Sequence, residues 1–278
     1  MSNDSSNSEQ SKGLRTKPGT DEPSPTRLAP SAPKVPWSPW LAVVYAVVVY
    51  FVAQVAASII IVLYPHYKGW NSPRTTMWLN NSVLSQFLYV LLAEALTFSA
   101  IWWFIRRRGA GLRAIGWRRP RWMDPVFALS GFAVYFMVYG LFYTLAKHFL
   151  PHLNVTQKQD LGFTSVTGHG DLLLTFLSLV VLPPLVEETV FRGFVYTGLK
   201  NKLRPLWAGL ATSLLFAMAH LEFGSGKPLL WIAAIDTFTL SLVLCYLREK
   251  TNSLWPGIVL HGLKNALAFV SLYVITLR

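Results

Sequence analysis

The stretch LAVVYAVVVYFVAQVAASIIIVL, from Leu41 to Leu63, contains no charged side chain. As an α-helix rising ~1.5 Å per residue, it is long enough to cross the ~30 Å hydrocarbon layer of a bilayer. Val126–Leu145 is a second uncharged run, and further apolar segments lie at about 83–105, 171–199, 206–221, 229–247 and 254–277. One such run fits the buried helix of a soluble core. Seven in a chain that is 53% apolar and 14% charged leave too little polar surface for a water-soluble globule. The sequence therefore predicts an all-α fold, a polytopic transmembrane helical bundle of about seven spans. Pro183 and Pro184 interrupt the fourth span, removing two backbone donors and disfavouring helix in the residue before them. That span is expected to be a broken helix, or a short helix followed by another, which would raise the count to eight. The fifth, from Leu206, is short for a full crossing.

The formal net charge is +12, but its placement argues against nucleic acid as a partner. Arg106, Arg107, Arg108, Arg113, Arg118, Arg119 and Arg121 follow one apolar segment, Lys200, Lys202 and Arg204 another, and Arg248 and Lys250 a third. The intervening loops hold little positive charge: Lys68 and Arg74, then Lys158, then Lys227. Basic clusters at alternate helix ends follow the positive-inside rule and suit anionic lipid headgroups. They predict a cytoplasmic amino terminus and an outward carboxy terminus, and the plasma membrane is the expected location.

Residues 1–36 are rich in Ser, Pro and charge, with no apolar periodicity, and are expected to be a disordered cytoplasmic tail. The first apolar run is too long for the core of a cleavable signal peptide. Trp37 and Trp40 sit where interfacial anchors belong. Beyond the tail the chain divides into amino-terminal transmembrane helices (37–165) and a carboxy-terminal helical region (166–278) that holds most of the chemistry. Cys245 is alone in an apolar segment, so no disulfide framework or cysteine-rich metal site is available.

Ionisable groups at membrane depth are costly, and each needs a reason. The fourth span carries Glu187, Glu188 and Arg192; the fifth, Phe216 and His220; the seventh, His261, Lys264 and Asn265. Glu188 and Arg192 are four apart and share a helix face, where pairing lowers the cost of burying both. Glu187 points about 100° away. With no local partner, it is a candidate general base, though a structural salt-bridge helix would also explain the pair. Phe216 and His220 share one face, as do His261 and Asn265. Two histidines and an asparagine can supply a base and two donors to a developing oxyanion. Counted from the cytoplasmic ends, Glu187 and His220 lie roughly 18–21 Å deep and His261 about 10 Å deep, a mismatch for straight helices. Glu94 and Asp236 are expected to be structurally paired, with Arg192 or a backbone group as partner. Lys264 is expected to snorkel to the interface, Trp255 to anchor there, and Pro256 to sit in the first turn of the last helix. His148, His152 and His169 fit a surface loop better than a metal site.

The ordered set EExxxR, FxxxH and HxxxN, on successive apolar segments within about 170–270, resembles the CPBP (CAAX-protease and bacteriocin-processing) family of intramembrane endopeptidases, which includes the type II CAAX prenyl endopeptidase. The lead-in Leu182-Pro183-Pro184 and the sequel Phe191-Arg192-Gly193 are similar too. The resemblance implies that Glu187 and His220 activate a water. His261 and Asn265 would stabilise the tetrahedral oxyanion, with Glu188, Arg192 and Phe216 in support. It implies hydrolysis of membrane-associated or lipid-linked peptides or proteins without a cofactor. Zinc is the runner-up, although HExxH is absent and Asn265 is a poor zinc ligand. The rival classes are a non-catalytic immunity or scaffold protein of the same fold and a proton-coupled transporter. Intact site positions argue against the first, and the lack of an internal repeat against the second.

Overall fold

Small side chains decide how the first helix packs. The computed structural model describes residues 34–155, 157, 159, 161–221 and 228–275. In it Pro39–Tyr67 forms α1, with a proline in its first turn and the Ser38 hydroxyl accepting from the Leu41 amide. Its buried face carries Ala42, Ala46, Ala53 and Ala57. Lipid tails are as apolar as leucine, so helix pairs in a membrane gain from close backbone approach rather than from expelling water. The alanines permit that approach, while Val48, Val52, Val55 and Ile59 face outward.

Seven helices follow among the described residues: α2 (Ser72–Asn81), α3 (Val83–Arg107), α4 (Asp124–Phe149), α5 (His169–Leu199), α6 (Pro205–Ala219), α7 (Trp231–Thr251) and α8 (Trp255–Ile275). Six of the eight, α1 among them, are long and apolar enough to cross a membrane. The seventh expected span, α6, has 15 residues, a length of about 22 Å that stops short of a full crossing. The protein is thus an integral membrane protein of the expected helical class. Residues 72–81 lack the apolar periodicity of a span, so sequence reading took them for loop. They form α2 because Asn71 caps the Arg74 amide and a proline fills the first turn.

The centre of the bundle is α7. Of its most apolar window 61% is buried, against no more than 28% in any other span. It packs against α4, α6 and α8, with Leu240, Leu244 and Leu247 meeting Ala128, Tyr135 and Leu260. A second cluster joins α1, α3 and α5 through Ala42, Ala46, Ile101, Phe104, Val190 and Phe194. The arginine-rich connection between α3 and α4 closes this end. Leu112–Ile115 forms a 3₁₀ turn, and Gly116 follows with φ +98°, its α-carbon facing the Arg248 guanidinium too closely for a side chain. Its carbonyl accepts from the Leu254 amide (3.0 Å). Nearby, the Trp117 indole donates to Thr189 Oγ1 (3.0 Å).

The adjacent prolines do not break α5. The hydrogen bonding switches instead: Leu177–Val181 is a π-helical segment, the Leu182 amide reaching back to Leu177 O, and Leu182–Glu188 continues as α-helix. Pro183 and Pro184 fall in the first turn after the switch, where a missing N–H costs least. A second π segment, Thr189–Val195, follows directly after Glu188. Such bulges change which residues face a neighbour and occur often at functional sites.

The tail assigned to residues 1–36 falls outside the described residues up to residue 33, as do residues 276 and 277 of the last expected span. Val35 is not free: its N–H donates to Asn201 Oδ1 (3.1 Å), and the Asn201 amide donates to the carbonyls of Val35 and Trp37. Trp37 is a core residue rather than an interfacial anchor, 3% exposed against Phe104 and Phe194. Trp40, 77% exposed, keeps the outward position expected of it. The difference follows from Asn201, which draws the chain before α1 inward. Trp37 closes over Gly198, where an added β-carbon would lie 2.7 Å from Ala42 Cβ and 2.9 Å from Trp37 Nε1. Gly198→Ala therefore overpacks the α1–α5 contact, at a cost of about 1–3 kcal/mol that outweighs the better helix propensity. The expected result is a lower thermal midpoint of the purified protein in detergent; an unchanged midpoint would show the contact to be looser than described.

Candidate active site

Glu188 is fully buried in α5, and its Oε1 serves two donors. Arg192 Nη1, one turn on, lies 2.9 Å away, and His261 Nδ1, from α8, lies 3.2 Å away. The other carboxylate oxygen lies against Gly257 in the first turn of α8, where a β-carbon would come within 2.8 Å of it. A helix amino terminus carries partial positive charge, so a carboxylate is favoured there. Glycine at 257 is what allows the approach. Arg192 is also fully buried, its guanidinium 4.5 Å from the centre of the Phe216 ring, which adds a cation–π contact from α6.

Glu187 sits beside this pair with its Oε2 3.8 Å from His261 Nε2. That is too long for a direct hydrogen bond and suits one bridging water. Glu187 Oε2 is buried without a protein hydrogen-bond partner, while its side chain as a whole keeps 26% of its surface exposed. A carboxylate accepts, so His261 Nδ1 carries the hydrogen and donates to Glu188; in the neutral ring Nε2 is then an acceptor facing Glu187.

His220 ends α6. Its Nδ1 lies 2.8 Å from the Phe216 carbonyl, which fixes the hydrogen on Nδ1 and makes Nε2 an acceptor in the neutral ring. Phe216 links the two histidines, its ring 4.6 Å from that of His220 and 5.9 Å edge-on from that of His261. Asn265, one turn beyond His261, donates to the Leu179 carbonyl (2.9 Å) inside the first π segment. One amide hydrogen is thereby used and one remains.

Glu187, Glu188, Arg192, Phe216 and His261 thus meet between α5, α6 and α8, while His220 is joined to them through Phe216 and Asn265 is held by the Leu179 carbonyl. The predicted mismatch in depth is not found: Glu187 and His261 stand side by side. A π turn holds more residues than an α turn, so Thr189–Val195 shortens α5 between Glu187 and its basic end, and Gly257 lets α8 slide close. Helix spacing assigned Glu188 to Arg192 alone and missed its hold on His261, because a contact between separate helices leaves no mark in local periodicity.

The partner expected for Asp236 was Arg192 or a backbone group. The structure pairs it with Lys264 (2.8 Å) and with the Tyr135 hydroxyl. Lys264 thus ends on a carboxylate of α7. Trp255 is tied down as well, its indole donating to Arg118 O (2.7 Å) and meeting the Trp117 ring, while Pro256 takes the expected first turn of α8. Glu94, half-buried on α3, has no hydrogen bond or ion pair among the described residues, so the pairing expected of it is not found. His148, His152 and His169 are exposed, and among the described residues no three His, Cys, Asp or Glu side chains converge as a metal-holding group.

Removing one partner of a buried ion pair strands the other charge, at a cost of about 3–5 kcal/mol. Glu188→Ala is expected to lose most folded protein, measured as monodisperse yield in detergent; a normal yield would mean that Arg192 has another partner. At the half-buried Asp236–Lys264 pair the effect is smaller. The double variant Asp236→Asn with Lys264→Met should recover yield that either single change loses, and additive losses would contradict the pairing.

Residues 169–267 match the family described as Rce1-like, type II CAAX prenyl endopeptidase. An uncharacterized 24.3 kDa protein of Escherichia coli is 34% identical over 93 residues, 33% of this chain and 41% of that protein. The UPF0177 protein YxdF of Lactococcus lactis is 25% identical over 139 residues, 48% of this chain and 73% of its own. No solved structure matches. Over residues 169–267 the chain is thus similar to the Rce1-like type II CAAX prenyl endopeptidases, the family that its ordered motifs resemble.

Proposed function

We propose that this protein is an intramembrane endopeptidase that hydrolyses membrane-associated or lipid-linked peptides or proteins with a water activated by Glu187. The observation that carries this is the placement of Glu187 Oε2, buried without a protein partner, 3.8 Å from His261 Nε2. Two acceptors at that separation can both hold hydrogens of one water. Glu187, with His220, takes a proton from it, and the oxygen bonds to the peptide carbonyl carbon. Asn265 donates its remaining amide hydrogen to the oxyanion. His261 Nε2 accepts the water's other hydrogen and so aims its oxygen at the carbonyl carbon, the Nδ1 hydrogen of the ring being committed to Glu188. As the C–N bond breaks, the proton held by Glu187 passes to the leaving amine. Donors held in a water-poor site act more strongly than in bulk solvent and need no rearrangement.

The basic clusters support a cytoplasmic amino terminus, and the membrane proposed for the protein is the plasma membrane. The arginine-rich connection and the residues after α5 and α7 lie at one end of the bundle, which would face the cytoplasm. The mechanism as drawn uses no metal. Proteolysis by the purified protein is expected to survive a strong zinc chelator; loss reversed by added zinc would overturn that part. Glu187→Gln, His220→Ala and His261→Ala should each lower proteolysis by ~10²-fold or more at unchanged folded yield. In membranes, quantitative proteomics of the wild type against Glu187→Gln should reveal a precursor that accumulates only in the variant. Full retention of the cellular phenotype by Glu187→Gln would favour a non-catalytic immunity or scaffold role instead.

A further inference from the structure

The arginine-rich end of the bundle holds a cavity of about 520 Å³. Arg121, Trp122, Asp124 and Phe127 line it where the connection enters α4, and Lys250 and Thr251 line it at the end of α7. Its size falls within the ~300–1,000 Å³ usual for small-molecule sites.

Two cations without a carboxylate partner belong to this wall. Arg121 and Lys250 are both exposed, and neither makes an ion pair among the described residues. Lys250 rests over the Tyr246 ring (5.6 Å). Asp124 also lines the cavity, but it is buried, and its Oδ2 accepts from the Arg121 amide (2.7 Å). It holds the loop that carries Arg121 and leaves positive charge in excess. A guanidinium fork and an ammonium are the groups that take phosphate oxygens. Other arginines of this end are placed differently: Arg106, Arg107 and Arg108 lie over the rings of Trp102, Trp103 and Phe104, and none of them lines the cavity.

Beyond the charge the surface turns apolar. Phe127 is exposed, and Val134, Met137 and Leu141 continue its outward face along α4 at helical spacing. Tyr246, one turn before Lys250, is exposed on α7. Trp122 is 82% exposed at the cavity, the interfacial position in which an indole meets headgroups. A soluble anion would use the cations alone. A molecule with both a phosphate and acyl chains uses both parts.

We propose that this cavity binds the phosphate headgroup of an anionic phospholipid, with Arg121 and Lys250 on the phosphate and the acyl chains along Phe127 and the outward face of α4. Because the two cations come from different elements, the bound headgroup bridges the arginine-rich connection and α7. The site is independent of the role of Glu187.

Native mass spectrometry of the purified protein in neutral detergent tests this with three probes: dioleoylphosphatidylglycerol, dioleoylphosphatidylcholine and inorganic phosphate. Phosphatidylglycerol is expected to be retained, and its apparent Kd to rise ~10-fold or more in the double variant Arg121→Gln with Lys250→Gln. Arg113→Gln with Arg119→Gln removes the same charge from exposed positions of the same connection that do not line the cavity. It is expected to leave the Kd within ~2-fold. Phosphatidylglycerol should also raise the thermal midpoint of the wild type and not that of the cavity variant, since a ligand of the folded state adds stability. Equal loss in the two double variants, or equal retention of phosphatidylcholine, would reduce the cavity to general surface charge and overturn the proposal. Displacement of the lipid by an equal concentration of inorganic phosphate would overturn it too, in favour of a site for a free anion. Should the cavity double variant fail to fold, Arg121→Gln and Lys250→Gln taken singly carry the same comparison.

Discussion

A carboxylate buried at membrane depth between two cationic or donor partners is the constraint on which the rest of the structure depends. Glu188 has no exposure, and leaving its charge unpaired there would cost more than a typical protein's margin of stability can absorb. Arg192 supplies one partner from the same helix, and His261 supplies the other from α8. That second bond ties two separate helices to one atom. It sets the orientation of the His261 ring, and with it the nitrogen that faces Glu187. Adjacent glutamates therefore have different work: Glu188 satisfies the fold and positions the histidine, while Glu187 is left facing a partner too distant to neutralise it directly.

The backbone of α5 makes this division possible. In a uniform α-helix the residues flanking Glu187 and Glu188 would follow one regular face. The two π segments on either side re-aim the chain, the second drawing in the basic end, while Pro183 and Pro184, which have no N–H to give it, leave Leu179 O free to receive Asn265. The proline pair occupies the turn where the first switch ends. Gly257 completes the fit by leaving room for Glu188 against the start of α8. Each of these local irregularities is unfavourable or neutral by itself, and each is compensated by the polar cluster it helps assemble.

Much of this was legible in the sequence, for identifiable reasons. Uncharged runs such as Leu41–Leu63 have one physical solution in a chain this apolar, and spacing of four residues reported the Glu188–Arg192 pair directly. The cost of charge in lipid and the order of the motifs pointed to Glu187 and His261, which the structure brings within 3.8 Å of each other. What escaped was relational. Helical periodicity does not say which helices touch, so the Glu188–His261 bond and the Asp236–Lys264 pair were missed, the latter being replaced by a guess at Arg192. Trp37 looked like an anchor because tryptophans at span ends usually are; Asn201, far along the chain, decides otherwise. The Pro-Pro pair signalled irregularity correctly, but not that a change of hydrogen-bond register would absorb it.

The most direct test of this arrangement is the protonation of one atom. Nitrogen-15 NMR of the protein in bilayers, with histidine labelled and His261 assigned by substitution, reads whether its Nδ1 bears a hydrogen. If Glu188 holds the ring as described, Nδ1 gives the shift of a protonated nitrogen with a directly bonded hydrogen. An unprotonated Nδ1 would mean that Glu188 does not orient His261, and the geometry that places Nε2 toward Glu187 would no longer hold.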